Sequence, residues 1–293
     1  MRIDILGGLP FVEASFNGRI EKDIIDSLNE ITTQGDAFIV NDTTVLDART
    51  KKPAVVNSAT FVSKRFQTNL EAKKGWETEK VLNGQRIDGY GEFPFNGEGY
   101  VIEEDKIVDV ASAIVETEKE SQFKLGGHFE VIHQMYVMRK FFDLKPIYRN
   151  WQNMFDRVRS ESLVRIGVEF ETGNIASSFR ALRKLNDLFL DGRIDCGVFV
   201  ACLNKNECSG RIWPMSNRNG SFEELTNRNY KTTLSIPLME VGFRPDGFDG
   251  HAPFLNADGT YFDLKPKTKY QTIDNTEYRV FEDSQGREYL KKI

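Results

Sequence analysis

The stretch Arg165-Ile-Gly-Val-Glu-Phe-Glu-Thr-Gly-Asn174 constrains the fold more than any other part of the chain. Ile166, Val168 and Phe170 alternate with Gly167, Glu169 and Glu171, the period-two pattern of a half-buried β-strand with both glutamates on one face. Thr172-Gly173-Asn174 then turns the chain and caps a helix whose apolar spacing runs from Ile175 to Leu190. Two acids on a rigid strand, followed at once by a helix start with polar and basic residues, form a frame able to hold a hard metal ion beside a phosphodiester.

The flanking segments predict more of the same architecture. Phe16 to Ile31 and Ala59 to Ala72 carry helical apolar spacing, the second with Phe61, Val62, Phe66 and Leu70 inward. Leu82 to Tyr100 reads as strands and turns, and Lys106 to Ser121 and His128 to Phe142 as helices. Ile147 to Asp156 and Leu163 to Thr172 are expected to form a hairpin closing around Arg159-Ser160-Glu161-Ser162. Ile194 to Leu203 is almost wholly apolar, a strand buried on both faces, and Leu234 to Phe243 is a second. Asn204 to Ser221 is expected to be a polar loop. The order hairpin, helix, buried strand, buried strand indicates an α/β core, a mixed sheet with helices on both faces.

At 293 residues with 40% hydrophobic residues the chain can bury a real core. A mean hydropathy of -0.44 and the lack of a long apolar run argue against a membrane span, and the N-terminus lacks an apolar signal region, so a cytoplasmic protein is expected. Cys196, Cys202 and Cys208 match no usual zinc spacing and are expected to be buried or idle thiols. The net charge of -5 hides an asymmetry: residues 77–130 hold 13 acids against 5 Lys/Arg, whereas 139–184 hold 10 Lys/Arg against 5 acids. The basic stretch carries the paired glutamates, which permits a polyanionic partner.

Hydrolysis of a phosphodiester with metal assistance needs carboxylates converging on the ion and a group that prepares the attacking water. Glu169 and Glu171, two apart on one strand face, place their carboxylates roughly 6–7 Å apart. A third acid has to come from a neighbouring strand; Asp156 on the incoming arm of the hairpin is the first choice. Taken alone, such a pair is more often a set of solvated surface acids.

The segment Val164 to Arg180, with Leu185, Gly192-Arg-Ile-Asp195, Ser216-Asn-Arg-Asn-Gly-Ser-Phe-Glu-Glu-Leu225 and Val241-Gly-Phe243, resembles the BamHI-type type II restriction endonucleases (the BamHI/BglII/BstYI group). The resemblance implies a PD-(D/E)xK restriction-endonuclease-like mixed sheet flanked by helices, Mg²⁺ as cofactor, and cleavage of double-stranded DNA by a homodimer. It implies one nuclease domain over 1–293: an N-terminal extension to about 145, a core over about 146–245 and a C-terminal extension over 246–293. It makes Asp156, Glu169 and Glu171 catalytic, with Asp156, Glu169 and the Phe170 carbonyl on the metal and Glu171 as general base. Asp88 in Arg86-Ile-Asp-Gly is the fallback for Asp156, and Glu130 is the guess for a further acid on a preceding helix. Asn174, Ser177 and Arg180 at the helix start, and Asn217-Arg218 in the following loop, are the DNA-binding positions. The implied site is a short palindrome centred on GATC. Asparagine at 217, where the family has aspartate, argues against an identical recognition site.

Weaker signals read as structural. His128 and His133 lack a completing acid, Asp195 follows the Gly192 turn, and Arg183 is expected to face solvent. A non-catalytic or repair-type DNA-binding protein of the same fold, and an interaction protein using the acidic 77–130 region, are the alternatives.

Overall fold

A computed structural model of the chain describes residues 1–8, 14–54, 56–101, 106–109, 112, 140–141, 156–214, 219–283 and 285–293. Its main elements are β1 (Arg2–Gly7), α1 (Ala14–Asn29), α2 (Thr60–Glu71), β2 (Trp76–Leu82), β3 (Gln85–Val101), β4 (Asp156–Glu171), α3 (Ile175–Leu190), β5 (Cys196–Cys202), α4 (Phe222–Asn227) and β6 (Leu238–Arg244). They are followed by β7 (Lys265–Ile273), β8 (Thr276–Glu282) and β9 (Glu288–Lys292). The central sheet runs β1-β6-β5-β4-β3-β2, with the short Lys140–Phe141 strand pairing β3. Its middle strands β6, β5 and β4 are parallel, and antiparallel pairs complete both sides.

Alternation along β4 sorts two cores. Val164, Ile166, Val168 and Phe170 pack with Val198, Val200, Val241 and Phe243 and with α1 and α2, through Ile20, Ile24, Leu28, Phe61, Phe66 and Leu70. On the other face Leu182, Leu185, Leu188 and Phe189 of α3 meet Phe199, Ala201, Phe222 and Leu225. Gly167 and Gly197 pair directly on this second face. A Cβ on Gly167 would lie 2.9 Å from Ile194 Cδ1 and 3.2 Å from Leu185 Cδ2. The paired glycines therefore form a floor that lets α3 sit close to the sheet.

Three expectations are corrected. Residues 156–171 form one 16-residue strand, not the returning arm of a hairpin; it pairs with β3 from Val101↔Asp156 to Gly89↔Val168. The polar run 159–162 is no turn because a ladder is held by backbone groups that polar residues also carry. Asn204 to Ser221 is not simply a polar loop: Lys205–Ser209 is a π-helical turn, Cys208, Ile212 and Trp213 are buried, and Cys202 is disulfide-bonded to Cys208. Only Cys196 stays a buried free thiol. The third concerns the end of the expected helix 128–142, where the described residues Lys140–Phe141 form a strand that pairs with β3.

The C-terminal strands β7, β8 and β9 join Val45–Asp47 and Pro53–Ala54 in a separate five-stranded sheet. Most of 106–121 and of 128–142, with Glu130, lies outside the described residues. Among the described residues no helix is long and apolar enough to cross a membrane.

Candidate active site

The two glutamates lie near the C-terminal end of β4, on the face that α3 covers. Glu169 is 5% exposed and Glu171 is half-buried. Asp156 does not join them. It begins the same strand, thirteen residues away, which at about 3.3 Å per residue is roughly 40 Å. Asp88, the fallback, lies beside Glu169 instead. In the β3/β4 ladder the pair Gly89↔Val168 brings the next residues, Asp88 and Glu169, opposite each other. Asp88 Oδ2 accepts the Phe170 N–H at 2.8 Å, which fixes its carboxyl against the catalytic-type strand.

A fourth acid extends the row. Glu79 falls between the registered pairs Thr78↔Gly89 and Lys80↔Ile87, hence opposite Asp88. Its φ of 54° is in the left-handed region, a local strain in the middle of a strand. The Gln67 side-chain amide donates both to Glu79 Oε1 at 2.7 Å and to Asp88 Oδ1 at 3.0 Å, tying the two acids to α2. Arg86 pairs with Glu79 at 2.9 Å.

Lys184 reaches the row from α3. Its Nζ lies 2.6 Å from Glu169 Oε1 and donates to the Arg86 carbonyl at 2.7 Å. The contact with Glu169 is a close ion pair, largely shielded from water. Burial, then the neighbouring Asp88 charge, pushes the Glu169 carboxyl up to about 8 despite Lys184. Burial also raises Asp88, against the Phe170 N–H, and raises Glu171, against the Gly173 N–H. Desolvation and the mutual repulsion of the acids thus outweigh the charge that Lys184 supplies.

Among the described residues no three His, Cys, Asp or Glu side chains are grouped so that they could hold a metal ion. The Asp88–Glu169 pair with the Phe170 carbonyl nevertheless offers an all-oxygen, doubly acidic donor set of the kind a hard divalent cation takes.

The turn after β4 leads from the acidic row into the start of α3. Glu171 Oε1 accepts the Gly173 N–H, and a Cβ on Gly173 would collide with Glu171 Oε1 and Ser177 Oγ. Asn174 is the N-cap of α3: its Oδ1 accepts the Ser177 N–H at 3.0 Å, and the Ser177 hydroxyl donates to the Asn174 carbonyl at 2.8 Å. The cap engages the acceptor of Asn174 and leaves its Nδ2 donors for a partner. Arg180 is exposed on the same helix. Asn217 and Arg218 lie outside the described residues, but Asn219 and Gly220 after them are docked on the helix start. Asn219 Oδ1 accepts the Ile175 N–H at 3.2 Å, and Gly220 N–H donates to the Gly173 carbonyl at 3.1 Å.

Asp195 is structural, as its place after the Gly192 turn predicts. It takes a fork of bonds from Arg165 Nε at 3.0 Å and a second guanidinium nitrogen at 2.9 Å, and accepts the Arg165 N–H. Arg183 is exposed beside Asp187.

A mixed sheet with an acidic row at one strand end, leading into a capped helix, is the arrangement of a restriction-endonuclease fold. The family model for the restriction endonuclease BamHI matches residues 10–246, about four-fifths of the chain. The chain belongs to the BamHI restriction endonuclease family. The type II restriction enzyme BamHI of Bacillus amyloliquefaciens is 28% identical over 98 residues, which are 33% of this chain and 43% of that enzyme. The match thus spans less than half the length of that relative.

Gln67, Glu79 and Lys184 were not singled out from sequence. Nothing in their local pattern marks them, because each acts through a partner distant in the chain: Gln67 and Glu79 through Asp88, Lys184 through Arg86 and Glu169.

Proposed function

We propose that the protein is a type II restriction endonuclease that hydrolyses both strands of double-stranded DNA at a short palindrome centred on GATC, using Mg²⁺. It acts in the cytoplasm. The observation that carries this reading is the placement of Asp88 beside Glu169, which lies two residues before Glu171 and shortly before the start of α3, in a chain of the BamHI family. Asp88, Glu169 and the Phe170 carbonyl would hold the ion, with Asp88 replacing Asp156 in that set. A divalent ion there supplies positive charge at the scissile phosphate and lowers the pKa of water.

Glu171 is the general base. Its carboxyl is raised above the ordinary range, which strengthens it as a proton acceptor, and its Oε1 is oriented by the Gly173 N–H. Glu79 and Gln67 position Asp88. Asn174, Ser177, Arg180, Asn217 and Arg218 are the DNA-contacting set, with Asn174 serving as a donor because its cap occupies Oδ1.

Incubation of the protein with plasmid DNA, with and without Mg²⁺, tests the reading. Discrete fragments whose ends map to one palindrome are expected. A gel shift without cutting would favour a non-catalytic DNA-binding protein.

A palindrome is most simply cut by a two-fold dimer in which each subunit hydrolyses one strand. Sedimentation is expected to give two subunits per duplex at saturation; one subunit per duplex would refute the homodimer. Replacing Arg218 with Ala is expected to cost about 1–3 kcal/mol on the cognate site and to blur preference at one base pair per half-site. Equal loss on cognate and random DNA would make the 217–218 loop a backbone clamp instead.

A further inference from the structure

Lys184 presents a cation to the acids that the proposed hydrolysis leaves without a role. Its side chain is 26% exposed and that of Glu169 only 6%, so the contact between them is largely shielded from water. The two partners of its ammonium differ in kind. The Arg86 carbonyl belongs to the backbone of β3 and stays put; Glu169 Oε1 is a carboxylate oxygen that a divalent ion would claim. Like charges cannot share one buried oxygen without repulsion, and the low local dielectric magnifies that repulsion.

We infer that Lys184 is a tethered counter-cation: it neutralises the Asp88–Glu169 pair when no divalent ion is bound and competes with that ion for Glu169, setting its affinity. The inference rests on the metal reading above and adds a residue to it. Lys184 is a positioning residue under this account. The glycine floor at Gly167 and Gly197 places it, by letting α3 approach the sheet, and the Arg86 carbonyl keeps its ammonium at the rim of the site once Glu169 is occupied.

Lys184→Gln removes the charge while its amide keeps a donor for the Arg86 carbonyl. In EDTA the variant is expected to melt several degrees below wild type, because two buried acids lose their counter-charge. In a Mn²⁺ titration followed by melting temperature, its midpoint is expected at about tenfold lower Mn²⁺ than wild type, and saturating Mn²⁺ is expected to close the gap. Lys231→Gln serves as the control: Lys231 pairs with the buried Glu240 at 2.5 Å, away from the acidic row, and its loss should be the same with and without Mn²⁺. An unchanged or higher Mn²⁺ midpoint for Lys184→Gln, or an unchanged melting temperature in EDTA, would overturn the inference. Wild type that gains no stability from Mn²⁺ would instead remove the metal site itself, and the inference with it, while the EDTA gap would still report Lys184 as the counter-charge.

Discussion

Glu169→Gln is expected to lower DNA cleavage by about 10³-fold or more and, in metal-free protein above pH 8, to raise the melting temperature. The first effect follows from losing a ligand worth several kcal/mol of charge stabilisation. The second follows from the cost of keeping this acid ionised where it stands. Burial and the Asp88 charge carry its folded-state pKa from 4.5 to about 8. An acid raised in this way holds its proton more tightly folded than unfolded. Its contribution to stability is therefore unfavourable once pH rises past the unfolded value, grows through the window from about 4.5 to 8, and is complete above 8. The cost is on the order of 5 kcal/mol at about 1.4 kcal/mol per pKa unit. Glutamine removes it, so variant and wild type should diverge at pH 8.5 and converge toward pH 4.5 when melted in EDTA. A variant less stable than wild type at pH 8.5, or one that cuts normally, would contradict the account.

Asp88→Asn and Asp156→Asn separate the two choices for the third carboxylate. Asp88→Asn is expected to abolish cleavage, because Asp88 is opposite Glu169 and bonded to the Phe170 N–H. Asparagine keeps the shape and an acceptor for that N–H, so the fold should survive, and circular dichroism checks this. Asp156→Asn, at the far end of β4, is expected to cut at a rate within about twofold of wild type, since exposed substitutions away from a site rarely matter. The reverse pattern of rates would place the chemistry at the other end of the strand.

The contrast between these two aspartates shows what local sequence carries and what it does not. The alternation Ile166 to Glu171 and the helix spacing from Ile175 to Leu190 depend on neighbours two to four residues apart, and both elements stand where that periodicity puts them. The buried strand β5 was equally legible, because seven consecutive buried positions leave an unbroken apolar run. The partner of Glu169 was not. Asp88 meets it across a ladder that joins residues about eighty positions apart, and no period within either segment states the register. Asp156 was favoured because polar residues at 159–162 imitate a turn, although the backbone there continues as strand.

The same reasoning explains the residues found only in three dimensions. Glu79 lies in a charged edge strand that reads as solvent-facing, and only its left-handed φ and the bridging Gln67 amide mark it out. The Cys202–Cys208 pairing was missed because a six-residue separation fits no expected framework; the π-helical turn between them closes the distance to a Cα separation of 5.9 Å. The pairing of β1 with the central sheet and of β9 with Val45–Asp47 was equally unreadable, because each joins segments far apart in the chain.

The central claim is that Asp88 and Glu169 hold a divalent ion beside the start of α3, with Glu171 as the general base next to it. Anomalous diffraction from crystals soaked in Mn²⁺ tests it most directly, because the peak locates the ion without reference to activity. The account predicts a peak within coordination distance, about 2.0–2.4 Å, of Asp88 and Glu169 carboxylate oxygens. A peak at Asp156, or one away from Asp88 and Glu169 altogether, would contradict it.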